Sequence, residues 1–354
     1  MVCRFALPFA AVAFFSLPLV APVSVFAAAP ITTSETGTMV GPDRMQRLIA
    51  GAKREGVVDV YSSATAEVMA DVTRGFEAKY GVKVRVWKAG TVAIQQRALT
   101  EARAGRFAVD VIETPASEME ALHRERLLQE VKMPVLADLM PGAVEPGRSW
   151  IATRVIVFSG AYNTRLVKPN EVPKTYADLL NPRWKGKIGI ESTDANWFMS
   201  LVQSMGEEKG LKLFRDIAAS NGLSARQGHT TLGTMVVSGE VQIGLNVYRH
   251  FAQPTKAEGA PIEELKLPPV LAIPSGAGVA RRAPHPYAAA LFLDYILGEG
   301  QPAMTGRDGA LPTNLKYQQL PTDMKITFVD VSRYVTENEK WRNIFRDVLT
   351  NQRR

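Results

Sequence analysis

The sequence has few of the side chains that most often hold metals or attack substrates. Cysteine occurs once, as Cys3, so any product that lacks the N-terminus can have neither a disulfide framework nor a cysteine zinc site. There are four histidines, none pairs with another at His-x-x-x-His spacing, and no H-E-x-x-H motif occurs. A G-x-S-x-G nucleophile elbow is also missing. The sequence therefore gives no support to a dedicated zinc enzyme or a serine hydrolase.

The sequence also has only a small excess of positive over negative charge. The 354 residues contain 42 Lys and Arg against 35 Asp and Glu, a formal net charge of +7, and the basic residues form no stripe. Nucleic acid is therefore not an expected partner, whereas a small anionic ligand is compatible with this charge. With 46 % hydrophobic residues, the chain is long enough for two hydrophobic cores.

The one long apolar run lies at the N-terminus. It follows Arg4, extends from Phe5 to Phe26 and ends in three alanines that begin at Ala27. This pattern is typical of a secretory signal, and we expect residues 1–27 to be removed by cleavage after Ala27. An uncleaved membrane anchor is the alternative because the run is long enough to span a bilayer, although three prolines interrupt it. The mature protein is expected to be soluble and exported.

Short β-rich runs alternate with amphipathic helical patterns after residue 56. In the first unit the pattern predicts strands at 57–61, 82–87 and 108–112. It also predicts three helices: one that ends at Tyr80 before Gly81, one over 91–104 and one over 117–131. In the second unit it predicts strands at 151–158, 187–190 and 241–245 and helices near 196–206, 208–219 and 231–238. A strand at 270–273, a helix at 286–297 and a C-terminal helix that carries Trp341, Ile344, Phe345 and Val348 follow. This order predicts two mostly parallel α/β units, with a site in the crevice beyond the carboxyl ends of their strands.

Several motifs between about residues 57 and 314 resemble those of a known family. The motifs are Asn163-Thr164 followed by Pro173, Tyr176, Leu179-Leu180, Pro182 and Trp184-Lys185-Gly186-Lys187-Ile188, then Ser238-Gly239-Glu240, the segment 283–297, and Glu299-Gly300-Gln301. Together they resemble the periplasmic solute-binding proteins of ABC transporters, in the branch that includes the ferric-iron-binding proteins.

The resemblance implies an α/β, two-lobed periplasmic-binding-protein fold of type II with the ligand in the cleft between the lobes. It divides the mature chain into a first lobe of residues 28–150 plus about 270–354 and a second lobe of residues 151–269. The expected protein is a periplasmic monomer that closes about a hinge on a small solute and delivers it to an inner-membrane ABC permease. No cofactor and no catalytic activity are expected.

The sequence departs from the ferric branch at its metal ligands. The loop after the first strand contains Ser62 and Ser63 but no histidine, and Glu113 is displaced by two positions from the family's glutamate. Counted from the Ser-Gly-Glu motif, the family's two adjacent tyrosines fall on Arg249 and His250, beside Tyr248. Because an arginine suits a carboxylate or phosphate better than a trivalent cation, a small organic anion is the expected ligand. The alternatives are ferric iron, held by Tyr248 with a synergistic anion, and a secreted enzyme that uses the same cleft.

Polar residues at predicted strand-to-helix junctions are the candidate ligand contacts. The resemblance places Tyr248 and Arg249 of the second lobe at the family's ligand-bearing loop, and both are predicted to bind the ligand. The predicted ligand-binding residues at the junctions are Ser62, Ser63 and Thr91 in the first lobe, and Ser192, Thr193 and Asn196 in the second. Hydroxyl groups and backbone N–H groups at such junctions bind anions, but the same residues also serve as plain helix N-caps. Asp194 is either a neighbour of the ligand or only a cap, and Glu113 either a ligand contact or the partner of a basic residue. Gln227, His229 and Thr230 form a polar loop whose direction the sequence does not fix.

Overall fold

The computed structural model describes Val2 and residues 31–306, 309–318 and 326–350. The predicted signal peptide, residues 1–27, lies outside the described residues except for Val2. Among the helices described, none combines the length and apolar character that crossing a membrane requires.

Strands and helices alternate through the described chain. The strands are β1 (Val57–Ser62), β2 (Lys83–Lys88), β3 (Val111–Pro115), β4 (Ile151–Phe158), β5 (Ala161–Asn163), β6 (Ile188–Glu191), β7 (Ser224–Arg226), β8 (Ile243–Gly244), β9 (Ile262–Glu264), β10 (Val270–Val279), β11 (Leu311–Pro312) and β12 (Ile326–Phe328). The α-helices are α1 (Thr33–Gly37), α2 (Arg44–Glu55), α3 (Ala66–Tyr80), α4 (Thr91–Arg103), α5 (Ala116–Arg124), α6 (Ala195–Ser204), α7 (Glu207–Asn221), α8 (His229–Ser238), α9 (Arg249–Ala257), α10 (Pro286–Leu297), α11 (Gln301–Thr305) and α12 (Val331–Thr350). Short 3₁₀ helices span Pro134–Asp138, Pro169–Glu171, Tyr176–Leu180 and Pro182–Trp184.

The described strands form two sheets, one in each lobe. The first sheet has the order β11-β4-β10-β3-β1-β2, and β12 also pairs with β10. Strand β1 runs parallel to β2 and β3, whereas β10 runs antiparallel to β3 and β4, so this sheet is mixed rather than mostly parallel. The second sheet has the order β7-β6-β8-β5-β9, in which β6 runs parallel to both β7 and β8. Strand β5 runs antiparallel to β8 and β9, so this sheet is mixed as well, and the prediction of two mostly parallel sheets is wrong.

Each sheet packs against its own apolar core. Val60, Phe76 and Phe292 are fully buried in the core of the first lobe, and Trp197 and Phe214 in that of the second. Two sheets, two large cores and helices packed on them confirm the predicted two-lobed α/β fold.

The chain passes between the sheets at the ends of β4, β9 and β12. Gly160 lies between β4 and β5 with a φ of +62°, and its carbonyl oxygen accepts a hydrogen bond of 3.1 Å from the backbone N–H of Leu265, which follows β9. The first two crossings are therefore in direct contact. The predicted residue boundaries of the lobes stay a prediction. Strand β4 pairs within the first sheet, and α12 packs against α6 of the second lobe, so the chain contributes to both lobes on either side of these boundaries.

Helix ends follow local signals in some places and tertiary contacts in others. Helix α3 begins after Thr65, whose hydroxyl accepts from the backbone N–H of Val68, and ends at Gly81, whose left-handed φ of +68° stops the helix as predicted. The predicted helix 117–131 is wrong beyond Arg124: Arg126 has a φ of +57°, and Leu128 forms a β-bridge with Ala280.

Candidate ligand-binding site

A buried polar network occupies the carboxyl ends of β1 and β3 in the first lobe. The Ser62 hydroxyl donates to Glu113 Oε2 at 2.6 Å, and the Ala64 backbone N–H donates to Ser62 Oγ at 3.1 Å. Arg154 Nη1 lies 2.9 Å from Glu113 Oε1, and both side chains are buried. Of the two roles considered for Glu113, the structure shows the ion pair. Both carboxylate oxygens of Glu113 therefore already have cationic or hydrogen-bonding partners.

Ser63 and Thr91 lie at the same edge of the first sheet. Ser62 is opposite Glu113 on β3 and Lys88 on β2, so the loops that follow these three strands meet there. Both Ser63 and Thr91 are half-buried, and Thr91 is the first residue of α4, with Gly90 as the N-cap. The hydroxyl of Thr91 therefore does not cap its own helix.

Glu191 organises the corresponding edge of the second lobe, a role that sequence reasoning missed. Its buried carboxylate accepts from the backbone N–H groups of Thr193 (2.7 Å), Asp194 (3.1 Å) and Gly228 (3.1 Å), and from the Thr193 hydroxyl (2.8 Å). These groups precede α6 and α8, so one carboxylate fixes two loops. An acidic residue directly between a strand and a helix-initiating loop was the available signal.

The other second-lobe candidates make local hydrogen bonds. The Ser192 hydroxyl donates to the carbonyl oxygen of Arg226 at 3.1 Å, and Asn196 Oδ1 accepts from the backbone N–H of Trp197 at 2.7 Å. Ligand contact by Ser62, Ser63, Thr91, Ser192, Thr193 and Asn196 stays a prediction.

A stack of aromatic rings joins the start of α8 to the start of α9. The His229 ring lies 3.7 Å from that of Tyr248, centroid to centroid, and the Tyr248 ring lies 4.9 Å from that of His250. His229 Nδ1 donates to the carbonyl oxygen of Asn246 at 2.8 Å, and His229 Nε2 lies 3.0 Å from Asp194 Oδ2. Burial lowers the pKa of His229, but the hydrogen bond and charge of Asp194 outweigh it, so the pKa is raised overall. Asp194 is thus more than a cap.

Tyr248 and Arg249 lie at the start of a helix, whereas the resemblance places them at the family's ligand-bearing loop. Tyr248 is the N-cap of α9, and burial, followed by the charges of Asp194 and Glu191, raises the pKa of its hydroxyl. Arg249 Nε lies 3.4 Å from Glu264 Oε1. The Arg249 side chain lines a cavity of about 790 Å³ with residues of the segment 302–318, rather than the cavity beside Ser192 and Thr193. Ligand contact by Tyr248 and Arg249 stays a prediction.

The cavity beside Ser192 and Thr193 has a volume of about 550 Å³, and helix α12 forms its other wall. Arg342 and Arg346 of α12 line it together with Gln227, and no Asp or Glu lies among its described lining residues. Helix α12 also reaches the first lobe, because Arg124 of α5 donates to Thr336 Oγ1 at 2.9 Å. The two arginines are functional candidates that sequence reasoning missed, because no local pattern places α12 beside this loop.

The fold and the polar strand ends define a class of two-lobed binding proteins. The chain belongs to the bacterial extracellular solute-binding protein family, whose model matches residues 58–308. Members of this family are binding proteins that take up small ligands and deliver them to ABC permeases. The predicted resemblance to periplasmic solute-binding proteins is thereby confirmed.

Individual relatives differ in the ligands that their names record. The chain is 25 % identical over 262 residues to the Fe(3+)-binding periplasmic protein of Serratia marcescens, covering 71 % of this chain and 76 % of the relative. The structure of iron-bound HitA from Pseudomonas aeruginosa aligns with a TM-score of 0.67 and 22 % identity, covering 82 % of this chain and 99 % of HitA. AfuA from Actinobacillus pleuropneumoniae with bound fructose-6-phosphate aligns with a TM-score of 0.65 and 23 % identity, covering 83 % of this chain and 99 % of AfuA. The two structural likenesses confirm the fold.

Proposed function

We propose that the chain is the periplasmic solute-binding component of an ABC importer and that it binds a small organic anion, a carboxylate or a phosphorylated compound. The observation that carries this proposal is the cavity in which Ser192 and Thr193 face Arg342 and Arg346 with no carboxylate in the described lining. Guanidinium and hydroxyl groups together match the geometry of carboxylate and phosphate oxygens.

The first-lobe edge supports an anion for a second reason. A ferric ion needs anionic oxygen ligands, yet Glu113 is neutralised by Arg154 at 2.9 Å and accepts from Ser62 at 2.6 Å. In the second lobe, burial raises the pKa of the Tyr248 hydroxyl, so forming a phenolate ligand for iron there costs more than in water.

Ferric iron is the second candidate. The names of the Serratia relative and of HitA record iron, and ligand atoms of Glu191, Asp194 and His229 lie within 4.8 Å of one another beside Tyr248. A metal at this point would have to displace the hydrogen bonds that Glu191 makes to Thr193 and Gly228. A secreted enzyme is a weaker third candidate because members of the family are binding proteins.

The proposed mechanism is hinge closure. The contact of Gly160 with Leu265 joins two of the crossings, so rotation there moves the lobes as bodies. A ligand that contacts both lobes stabilises the closed state through contacts available only in that state. The protein is proposed to act as a monomer after removal of residues 1–27.

Native mass spectrometry of protein purified from the periplasm tests the ligand class. A bound organic mass supports the first candidate, and bound iron supports the second. Thermal-shift screening with sugar phosphates, dicarboxylates and ferric citrate then supplies the ligand for titration calorimetry. Arg342→Ala/Arg346→Ala is expected to weaken an anion at least tenfold, which corresponds to about 1.4 kcal/mol. Arg165→Ala/Arg215→Ala removes the same charge from exposed sites and is the matched control. Equal anion affinities for both variants would remove α12 from the site.

A further inference from the structure

A third cavity lies in the first lobe, at the end of the sheet opposite the cleft. Its volume is about 260 Å³, and it lies between the C-terminal part of α4, the segment that precedes β3 and the segment that follows β10. Strand β3 begins at Val111 here, whereas its carboxyl end at Pro115 faces the predicted ligand site. The cavity is therefore separate from the site proposed above.

Four arginines with exposed side chains line this cavity, and backbone hydrogen bonds fix where the main chain carries two of them. They are Arg106, Arg126, Arg281 and Arg282. The Arg106 N–H donates to the Glu101 carbonyl at 2.8 Å, and the Arg281 N–H donates to the Leu127 carbonyl at 2.8 Å. Arg126 has a left-handed φ of +57°, an uncommon conformation for a residue other than glycine. The bridge between Leu128 and Ala280 keeps the two arginine-bearing segments side by side.

The positive charge of this cavity is not compensated locally. Within the described residues, none of the four guanidinium groups forms an ion pair with an acidic side chain. Glu101 is the one carboxylate in the described lining, and it is already engaged. Its oxygens accept from the Tyr61 hydroxyl at 2.9 and 3.0 Å and from Arg97 Nε at 2.8 Å. A bound anion would supply the missing charge.

The remainder of the lining is apolar. Val109, Ile112 and Leu127 contribute to it, and the Arg282 guanidinium lies 4.7 Å from the ring centroid of Phe107. A dry cavity of about 150 Å³ is enough to hold benzene. At about 260 Å³, this cavity has room for one ring and an attached anionic group.

We propose that this cavity is a second binding site for a small organic anion with a ring-sized apolar body, an aryl or cyclic carboxylate or phosphate. The apolar body lies against Val109 and Ile112, and the anionic group lies among the four guanidiniums. The site is independent of lobe closure, because its described lining comes from the first lobe alone.

Titration calorimetry with phenyl phosphate on the mature full-length protein tests the proposal. Arg281→Ala/Arg282→Ala is expected to weaken binding at least tenfold, whereas Arg165→Ala/Arg215→Ala is expected to change it less than twofold. Ala102→Leu fills the cavity from α4 without altering charge, and it is expected to weaken binding by a similar factor. Inorganic phosphate is expected to bind at least tenfold more weakly than phenyl phosphate because it lacks the apolar body.

A cleft variant separates this proposal from the proposed function. Ser192→Ala/Thr193→Ala alters only the proposed cleft site, so it is expected to leave the affinity of phenyl phosphate for the first-lobe cavity unchanged. If that variant abolishes binding while Arg281→Ala/Arg282→Ala does not, the anion occupies the cleft, and the second site is refuted while the proposed function stands. Unchanged binding in every variant, or no binding of phenyl phosphate to the parent protein, also refutes the second site.

Discussion

Single residues decide what each half of the candidate site can bind. Glu113 and Arg154 form a buried pair, so neither acts as an isolated charge. Removing one member of such a pair costs far more than the pair contributes, because the other charge stays buried without that partner.

Glu113→Gln is therefore expected to lower the free energy of unfolding by about 3–5 kcal/mol. Urea denaturation followed by circular dichroism measures the change. The double variant Glu113→Gln/Arg154→Met is expected to recover part of the loss because it removes both charges. Asp216→Asn breaks the exposed pair with Lys212 and serves as the control, with an expected change of less than about 1 kcal/mol. A loss at Glu113 no larger than that of the control would contradict the buried ion pair.

His229 is expected to make the protein less stable as the pH rises past neutrality. Burial lowers its pKa, but the hydrogen bond and charge of Asp194 raise it above the usual value of 6.5. The folded state therefore binds this proton more tightly than the unfolded state. The resulting stabilisation is complete below pH 6.5 and is lost as the pH rises through the raised pKa.

Asp194→Asn is expected to lower the pKa of His229 and to remove this loss of stability. An NMR titration of the imidazole C–H resonances measures the pKa, and denaturation between pH 5.5 and 8.5 measures the stability. Asp347→Asn, at an exposed position of α12, is the control. The same His229 pKa in the parent protein and in Asp194→Asn would show that Asp194 is not its partner.

Part of the site could be predicted from residue type and position. Ser62 ends a strand and Ser63 follows it, and Ser192 and Thr193 precede a helix, so their places at the sheet edges follow from local pattern. The pairing of Arg249 with Glu264 and the approach of Arg342 to Ser192 depend on tertiary packing, which no local spacing encodes.

At the scale of elements, the sequence predicts a helix boundary correctly where a proline or glycine marks that boundary. Pro286 begins α10 and Gly81 ends α3, as the sequence predicts. The sequence did not reveal α2, which packs against α10, and it predicted only residues 270–273 of β10. Strand β10 continues through Gly276 and Gly278 because β3 and β4 pair with it on both sides. Tertiary pairing here overrides the weak strand preference of glycine.

The crossing at Gly160 is expected to tolerate no side chain. A Cβ there would lie 3.0 Å from the carbonyl oxygens of Gly244 and Leu245, and φ is +62°. Gly160→Ala is expected to cost more than the roughly 1–2 kcal/mol of left-handed strain alone, as measured by urea denaturation. Gly81→Ala, with a φ of +68° and no atom within 4 Å of the added Cβ, isolates that strain. Equal losses of unfolding free energy in the two variants would show that the backbone at the crossing shifts to accommodate the methyl group without further cost.

At the scale of the whole molecule, ligand binding is expected both to bring the two lobes together and to stabilise the folded state. A ligand at one hundred times its dissociation constant raises the free energy of unfolding by about 2.7 kcal/mol. Small-angle scattering with the best ligand from the screen is expected to show a smaller radius of gyration. Stabilisation without compaction would argue against hinge closure.

Helix α12 also determines when the second lobe can be completed during synthesis. Trp341 and Phe345 are buried in its core, and the Phe345 ring stacks on that of Phe198 at 4.6 Å. More than 130 residues separate these partners, so a ribosome must synthesise the chain through Phe345 before that core can close. Until then the growing polypeptide lacks part of the apolar contacts of its second lobe, so that lobe is less stable than in the finished chain.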